Sequence, residues 1–329
     1  MRHEKDNITE SFCKASEIWL ESIRPGLKES SVVKYGNIIK VHLLPYFSGM
    51  NVVDITSADI LAFCNSLLQC SGKGGAALAS KTIADIMTVL KAIYRFTSEK
   101  NGYENAIRDW PSVSQTHRPL RILSMPEQNR LSLYLYQNFT PCNLGILLGL
   151  YTGMRIGEIC ALKWGDISST ERTIQVQRTM QRIQCPNDSN KKTTVLISSP
   201  KSRCSIRSIP LPDELSGMIV RFRQSDDSFF LTGKEQYYME PRTMQNRFKA
   251  VTTICDIPDA NFHSLRHTFA TRCVELGFDI KSLSEILGHA NVNITLNRYV
   301  HPSMEQKRKN MNLLSIYLSP DKAGYQLEQ

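Results

Sequence analysis

Nowhere in these 329 residues is there an apolar run long enough to cross a bilayer; the longest, Leu144 to Leu150, is broken by Gly145 and Gly149. No signal peptide is legible, because the first residues are polar and mixed in charge (Arg2, Glu4, Lys5, Asp6). The nine cysteines contain no C-x-x-C pair and form an odd, scattered set. That excludes the usual zinc and disulfide patterns and reads as packed, reduced thiols in a cytoplasmic protein. There is no G-x-x-x-x-G-K-[ST] string for a nucleoside triphosphate and no H-E-x-x-H for a metalloprotease. Internal repeats and low-complexity tracts are also missing. No cofactor and no metal are expected.

What is abundant is positive charge, and it is unevenly placed. The net charge is +9, from 40 Lys+Arg and 31 Asp+Glu. Residues 1–104 hold 12 basic against 11 acidic side chains, a net of +1, which leaves 28 against 20, a net of +8, for the remainder. Such an excess favours a polyanionic partner through counterion release.

The first hundred residues read as four helices. Phe12, Ala15, Trp19 and Ile23 recur at helical spacing up to Pro25–Gly26, and a second helix runs from about Ser31 to Pro45. Thr56-x-x-Asp59 opens a third, and Ser80 caps a fourth that stops near Asn101–Gly102. Residues 105–120 lack periodicity and contain Trp110–Pro111 and Pro119, so they are expected to be a linker. Ser124-x-x-Glu127 then starts a second helical region with a glycine interruption at Gly153. Thr173–Arg178, Val195–Ile197 and Ile206–Ile209 read as short strands, and the pattern past Leu211–Pro212 is helical to about residue 318. The expected class is mainly α with a small antiparallel β-sheet. Domain boundaries are expected at 1–104, 105–120 (linker), 121–318 and 319–329 (tail).

Four clusters carry chemistry-bearing residues: Thr152–Glu158 with Arg155, Pro200–Arg203 with Lys201, His263–His267 with Arg266, and Leu287–His289 followed ten positions later by Tyr299. Singly, each has a plain explanation. Arg155 could be a surface ion-pair partner, Lys201 a hairpin charge, and Tyr299 a core aromatic. His263 and His267, four apart on a helix, could bind a metal, but no third ligand is apparent.

Together and in this order, the clusters resemble the active-site signature of the tyrosine recombinases, the phage-type integrase family related in catalytic domain to type IB topoisomerases. TGMRIGEICAL (Thr152–Leu162) resembles the first arginine box and PKSRCSIRSIPL (Pro200–Leu211) the lysine-bearing hairpin. HSLRHTFAT (His263–Thr271) and LGHANVNITLNRYVH (Leu287–His301) resemble the second arginine box and the nucleophile segment. By motif the resemblance spans residues 121–318. The N-terminal helices fit a SAM-like core-binding domain more loosely, and the two together imply a C-shaped clamp on double-stranded DNA.

The resemblance implies Tyr299 as nucleophile toward a backbone phosphate, Arg155 and Arg266 as its clamp, and Lys201 as acid to the departing oxygen. It implies His263 and His289 as phosphate-bonding or proton-handling imidazoles and Glu158 as orienter of Arg155. Physical chemistry agrees with that division of labour. A guanidinium offers a planar fork to phosphate oxygens and stays charged, while an ammonium beside two guanidiniums should have a lowered pKa. A phenol near pKa ~10 attacks poorly without such surroundings.

Arg172, Arg178, Arg182, Lys191, Lys192, Arg203 and Arg207 surround the expected sheet, and about half are expected to be solvated charge, with Arg178, Lys192 and Arg203 as DNA-backbone candidates. Arg242 and Arg247 lie on a helix (241–255) that could enter the major groove. His267 and Arg272 read as structural or backbone-contacting, and His301 as local packing. One protomer cuts one strand, so the implied assembly is a homotetramer on two duplexes, with weaker self-association without DNA. The amphipathic segment 303–318 (Met304, Met311, Leu314, Tyr317) would dock on a neighbouring protomer. The chain starts almost at the helical unit, so no arm-binding domain is expected. A topoisomerase-like relaxing enzyme and a non-catalytic DNA-binding derivative are the alternative readings. The choice among integration, excision and dimer resolution stays open.

Overall fold

The structure, a computed structural model, describes residues 10–70, 77–102, 107, 109–114, 119–185, 193–200 and 202–300, then 304, 307–309, 311, 312 and 314; Cys70 and Arg203 are described in backbone only. It divides into two compact units, residues up to Pro119 with Ile183–Thr194, and Leu120–Arg182 with the residues from Val195 onward.

Up to Pro119 the first unit is built of helices. Ser11 caps α1 (Phe12–Ile23), whose Phe12, Ala15 and Trp19 face the core. The expected second helix is in fact α2 (Glu29–Ile38), a π-helical turn (Ile39–Leu43) and α3 (Leu44–Phe47). Pro45 supplies the reason: it has no N–H to donate and its ring crowds the carbonyl four residues back, so the preceding turn widens. Thr56 and Asp59 bond reciprocally at the start of α4 (Ser57–Cys70). α5 (Ser80–Asn101) begins at Ser80 itself, with Ala79 in the cap position and no side-chain cap, and ends at left-handed Gly102. Phe12, Phe47 and Phe63 pack at the centre, tilted and then edge-on, with ring centroids 5.2 Å and 4.9 Å apart along the series. The segment expected as a linker packs here through buried Ile107 and through Trp110, which meets Tyr94 edge-on at 5.9 Å.

The second unit opens with α6 (Met125–Gln137), held by the Ser124/Glu127 capping box. α7 (Pro141–Thr152) is apolar on all sides, and it is buried because α6, α8 (Ile156–Ala161), α10 (Pro241–Ile254) and α11 (Phe262–Glu275) surround it. The strands are β1 (Ile167–Ser168), β2 (Thr173–Val176), β3 (Thr179–Gln184), β4 (Thr193–Ser198) and β5 (Arg207–Pro210). They form two small sheets, an antiparallel β1-β2-β5 in which Ile174 pairs Ile167 and Ile209, and a two-stranded β3-β4. α9 (Asp213–Val220), α12 (Ile280–Leu287) and α13 (Val292–Tyr299) complete the unit. Beyond residue 300, Met304, Met311 and Leu314 lie on helical backbone and are exposed; Tyr317 and His301 are outside the described residues. Among the described residues no helix is long and apolar enough to cross a membrane.

Candidate active site

α7 stops at Gly153, whose φ of +62° is left-handed and whose added Cβ would lie 2.6 Å from Phe269 Cδ1 and 2.9 Å from Leu287 Cδ2. Only glycine makes this reversal at so close an approach. The turn leaves the Gly153 carbonyl facing Arg266 and starts α8 with Arg155 in the cap position. One helical turn on, Glu158 accepts from the Arg155 backbone N–H at 2.9 Å and from its Nη1 at 2.8 Å. The buried carboxylate also accepts from Arg207 Nη2 at 2.9 Å and Nη1 at 3.1 Å. Burial alone would raise its pKa, but the hydrogen bond and charge of Arg207, with Arg155, outweigh that and hold it below the usual carboxylate range. Arg207 is anchored further by the carbonyls of Ile286 at 2.5 Å and Ser205 at 3.0 Å. It therefore sits inside the unit, which corrects its place among the solvated or DNA-facing cations of the sheet.

Arg266, on α11, is 2% exposed and donates to the Gly153 carbonyl at 2.8 Å, the Leu287 carbonyl at 2.7 Å and His289 Nε2 at 2.8 Å. Burial, then repulsion from Arg155, brings its pKa down to about 9 against the pull of Glu158. Arg155 Nη2 reaches the next carbonyl, Gly288, at 3.5 Å. Two guanidiniums from distant segments thus stand on consecutive carbonyls at the C-terminal end of α12, where a helix favours cations.

The arginine also decides the tautomer of His289. Its N–H can only donate, so Nε2 must accept and the ring proton must sit on Nδ1, which donates to buried Thr295 Oγ1 at 2.8 Å. Burial and the charges of Arg266, Arg155, Arg298 and Arg207 lower the His289 pKa to about 3, so the ring is neutral at working pH.

Tyr299 ends α13 and packs in a small core with Ala270, Cys273, Leu283 and Leu287. Its hydroxyl lies 2.9 Å from His267 Nδ1. Burial raises the phenol's pKa, partly countered by the charges of Arg266, Arg298 and Arg155. His267 itself is brought to about 4 by burial and by His263, Arg298 and Arg266. His263 stands one turn earlier on α11, its ring edge-on to His267 at 4.5 Å. Its pKa is also lowered to about 4, by burial of its packed face and by Arg266, Arg298 and Arg155. As a residue it is exposed, so solvent screens those charges more than at the other two rings.

Of the residues singled out in the sequence, Arg155, Glu158, His263, Arg266, His289 and Tyr299 are gathered around α11 and the end of α12. Lys201 and Lys192 lie outside the described residues, as does the side chain of Arg203. Arg178 pairs with Asp166 at 2.5 Å, Arg182 with Glu240 at 2.5 Å, and Arg172 with Asp213. Arg242 and Arg247 are exposed on α10, and Arg242, Gln245, Asn246 and Lys249 line a cleft of about 540 Å³. Sequence reasoning missed Thr295, the buried bonds of Arg207 to Glu158 and the contact of His267 with the phenol. Two signals were available: Arg207 shares the inward face of its strand with Ile209, and His267 shares the face of its helix with His263.

Comparison with known proteins agrees with this geometry. The model for the phage integrase family matches residues 115–306, and that for the phage integrase N-terminal SAM-like domain matches residues 11–68. The chain is 29% identical over 324 residues to the tyrosine recombinase XerC-like protein of Caldanaerobacter subterraneus subsp. tengcongensis, covering 90% of this chain and 81% of that one. It is 22% identical over 308 residues to the ICEBs1 integrase of Bacillus subtilis, covering 88% and 79%. In fold it is similar to the Tn1549 transposon integrase in complex with transposon right end DNA (TM-score 0.72, 20% identity, 92% of this chain and 99% of that one). A lambda integrase dimer bound to a core site is also similar (TM-score 0.60, 16% identity, 86% and 95%).

Proposed function

The chain belongs to the phage integrase family and is a tyrosine-type site-specific DNA recombinase, and from that premise we propose how its own residues divide the work. Tyr299 Oη attacks a backbone phosphorus, the bond to the 5′-oxygen breaks, and a 3′-phosphotyrosyl ester keeps the energy of the broken link for religation. Arg155 and Arg266 take the non-bridging oxygens. The observation that carries this is the placement of both guanidiniums on the consecutive carbonyls of Leu287 and Gly288, with the Tyr299 hydroxyl near enough for the charges of both to act on it. Preorganised charge of this kind is commonly the largest catalytic contribution.

An arriving phosphate competes for the Arg266 N–H groups and frees His289 Nε2, and its negative charge offsets the cations that keep that imidazole unprotonated. His289 and His263 then hydrogen-bond the phosphate, and one of these two imidazoles takes up the proton that Tyr299 Oη releases as the new P–O bond forms. The proton for the departing 5′-oxygen is assigned to Lys201 on its sequence position alone. The polyanionic partner is double-stranded DNA, and strand exchange requires four protomers, each cutting one strand, as the lambda integrase tetramer on a Holliday junction illustrates for that enzyme.

Tyr299→Phe tests the proposal on a nicked suicide duplex. The expected result is full DNA binding with no covalent adduct; an undiminished adduct would end the assignment of Tyr299.

A further inference from the structure

His267 is not one of the six residues assigned to phosphate chemistry, yet its Nδ1 is the described imidazole nitrogen in contact with the Tyr299 hydroxyl, at 2.9 Å. The phenol oxygen has two polar neighbours of opposite kind. Arg266 lies near enough for its positive charge to act on the same oxygen, and a guanidinium offers no acceptor. That field favours the phenol's lone pairs facing the cation and its O–H pointing at His267, which then accepts at Nδ1 and carries its own proton on Nε2. The ring cannot readily turn away from this task. His267 is buried on α11, its face is closed by the edge of His263 at 4.5 Å, and the Tyr299 ring lies against it at 5.8 Å between centroids. The phenol is fixed from below as well, by Leu283, Leu287, Ala270 and Cys273.

We propose that His267 is the positioning residue for the nucleophile: by accepting the Tyr299 O–H at Nδ1 it sets the phenol's orientation, with the oxygen held beside Arg266 and a lone pair left for the incoming phosphorus. The inference rests on Tyr299 being the nucleophile, as proposed above. It assigns His267 no phosphate contact and no net proton transfer. Its effect belongs to the rate of cleavage once DNA is bound, because a reacting atom displaced by about 1 Å loses on the order of 100-fold in rate.

The test uses the full chain on a nicked suicide duplex, with single-turnover cleavage and DNA affinity measured separately for His267→Leu, His267→Asn and His267→Gln. Asparagine places its Oδ1 close to the position of Nδ1 and can accept the phenolic proton as a hydrogen bond; glutamine carries its oxygen one bond further out. His267→Leu should cleave roughly 30-fold more slowly, with DNA affinity within about twofold of the parent. His267→Asn should recover to within about threefold of the parent, and His267→Gln should not. Asparagine as slow as leucine would overturn the inference, as would a leucine variant that cleaves at the parent rate or faster. Should the leucine variant fail to fold, the asparagine–glutamine comparison decides, and equal rates for those two overturn it. Tyr299→Phe run alongside separates the two claims: a surviving adduct there defeats the nucleophile assignment, whereas loss of adduct with unaltered His267 variants defeats only the positioning role.

Discussion

Glu158 and Arg207 meet inside the second unit as a carboxylate–guanidinium fork, Oε2 to Nη2 at 2.9 Å and Oε1 to Nη1 at 3.1 Å. The same Oε1 takes Arg155 Nη1 at 2.8 Å. Arg207 is nearly inaccessible while Arg155 remains partly open to solvent. The pair therefore reads as a buried mount whose purpose is to hold the exposed guanidinium at a fixed angle. Arg207→Met leaves a buried carboxylate short of a partner and should destabilise the protein by about 3 kcal/mol in urea unfolding at pH 7. Replacing both, Glu158→Leu with Arg207→Met, should recover much of that stability, because an apolar pair avoids the desolvation cost. Cleavage should stay impaired in the double variant, since Arg155 has lost its carboxylate. A double variant that cleaves normally would remove Glu158 from the mechanism.

Acid should weaken the fold through the same constellation. His267 and His289 have folded pKa values lowered to about 4 and about 3, first by burial and then by the surrounding cations. Above the ordinary value of roughly 6.5 the rings are neutral in both folded and unfolded chains, and they contribute nothing to the pH dependence. Below it the unfolded chain takes up protons that the folded chain refuses, so stability falls from about pH 6.5 down toward pH 4. The slope is at most about 1.4 kcal/mol per pH unit for each ring. Calorimetry at pH 5 in buffers of different ionisation enthalpy should show about one proton fewer taken up on unfolding by His267→Asn than by the parent. An equal uptake would mean that His267 is protonated in the folded state.

Local features were legible in the sequence and distant pairings were not, for a physical reason. The capping boxes at Thr56/Asp59 and Ser124/Glu127 and the Arg155–Glu158 contact join residues three apart, so the helix period alone places them. The π-helical turn before Pro45 depended on how the chain relieves a clash, which composition does not state. The two sheets were foreseen as one because strand period gives faces but not partners, and β1 is only two residues long. In the site, the resemblance to a known family supplied positions in the chain. It could not supply the tautomer of His289, the burial of Arg207 or the partner of the Tyr299 hydroxyl, since each is settled by a contact between segments far apart in sequence.

Gly153→Ala should damage both stability and activity. The methyl group would have to adopt a left-handed backbone and would fall 2.6 Å from Phe269 Cδ1. A cost of about 2 kcal/mol in thermal or urea unfolding is expected from the combination of strain and crowding. Because the Gly153 carbonyl accepts from Arg266, cleavage should fall further than stability alone predicts when assayed well below the unfolding transition. Cleavage unchanged under those conditions would show that Arg266 keeps its orientation without this carbonyl.

Thr295 is the least conspicuous residue that the site depends on. It is fully buried on α13, and its hydroxyl is the acceptor for the Nδ1–H of His289. That bond keeps the ring proton on Nδ1 and leaves Nε2 as the nitrogen facing Arg266. Thr295→Val preserves shape and removes the acceptor, so His289 is left with an unsatisfied buried donor or turns to the other tautomer, in which Nε2–H would meet the donors of Arg266. Strand cleavage should fall about tenfold, corresponding to roughly 1.4 kcal/mol in the barrier, while Thr295→Ser, which keeps the oxygen, should stay within about threefold of the parent. The tautomer can be read directly from the 15N shifts of the His289 ring. A valine variant whose ring proton still resides on Nδ1 and whose cleavage rate is intact would show that Arg266 alone orients the imidazole.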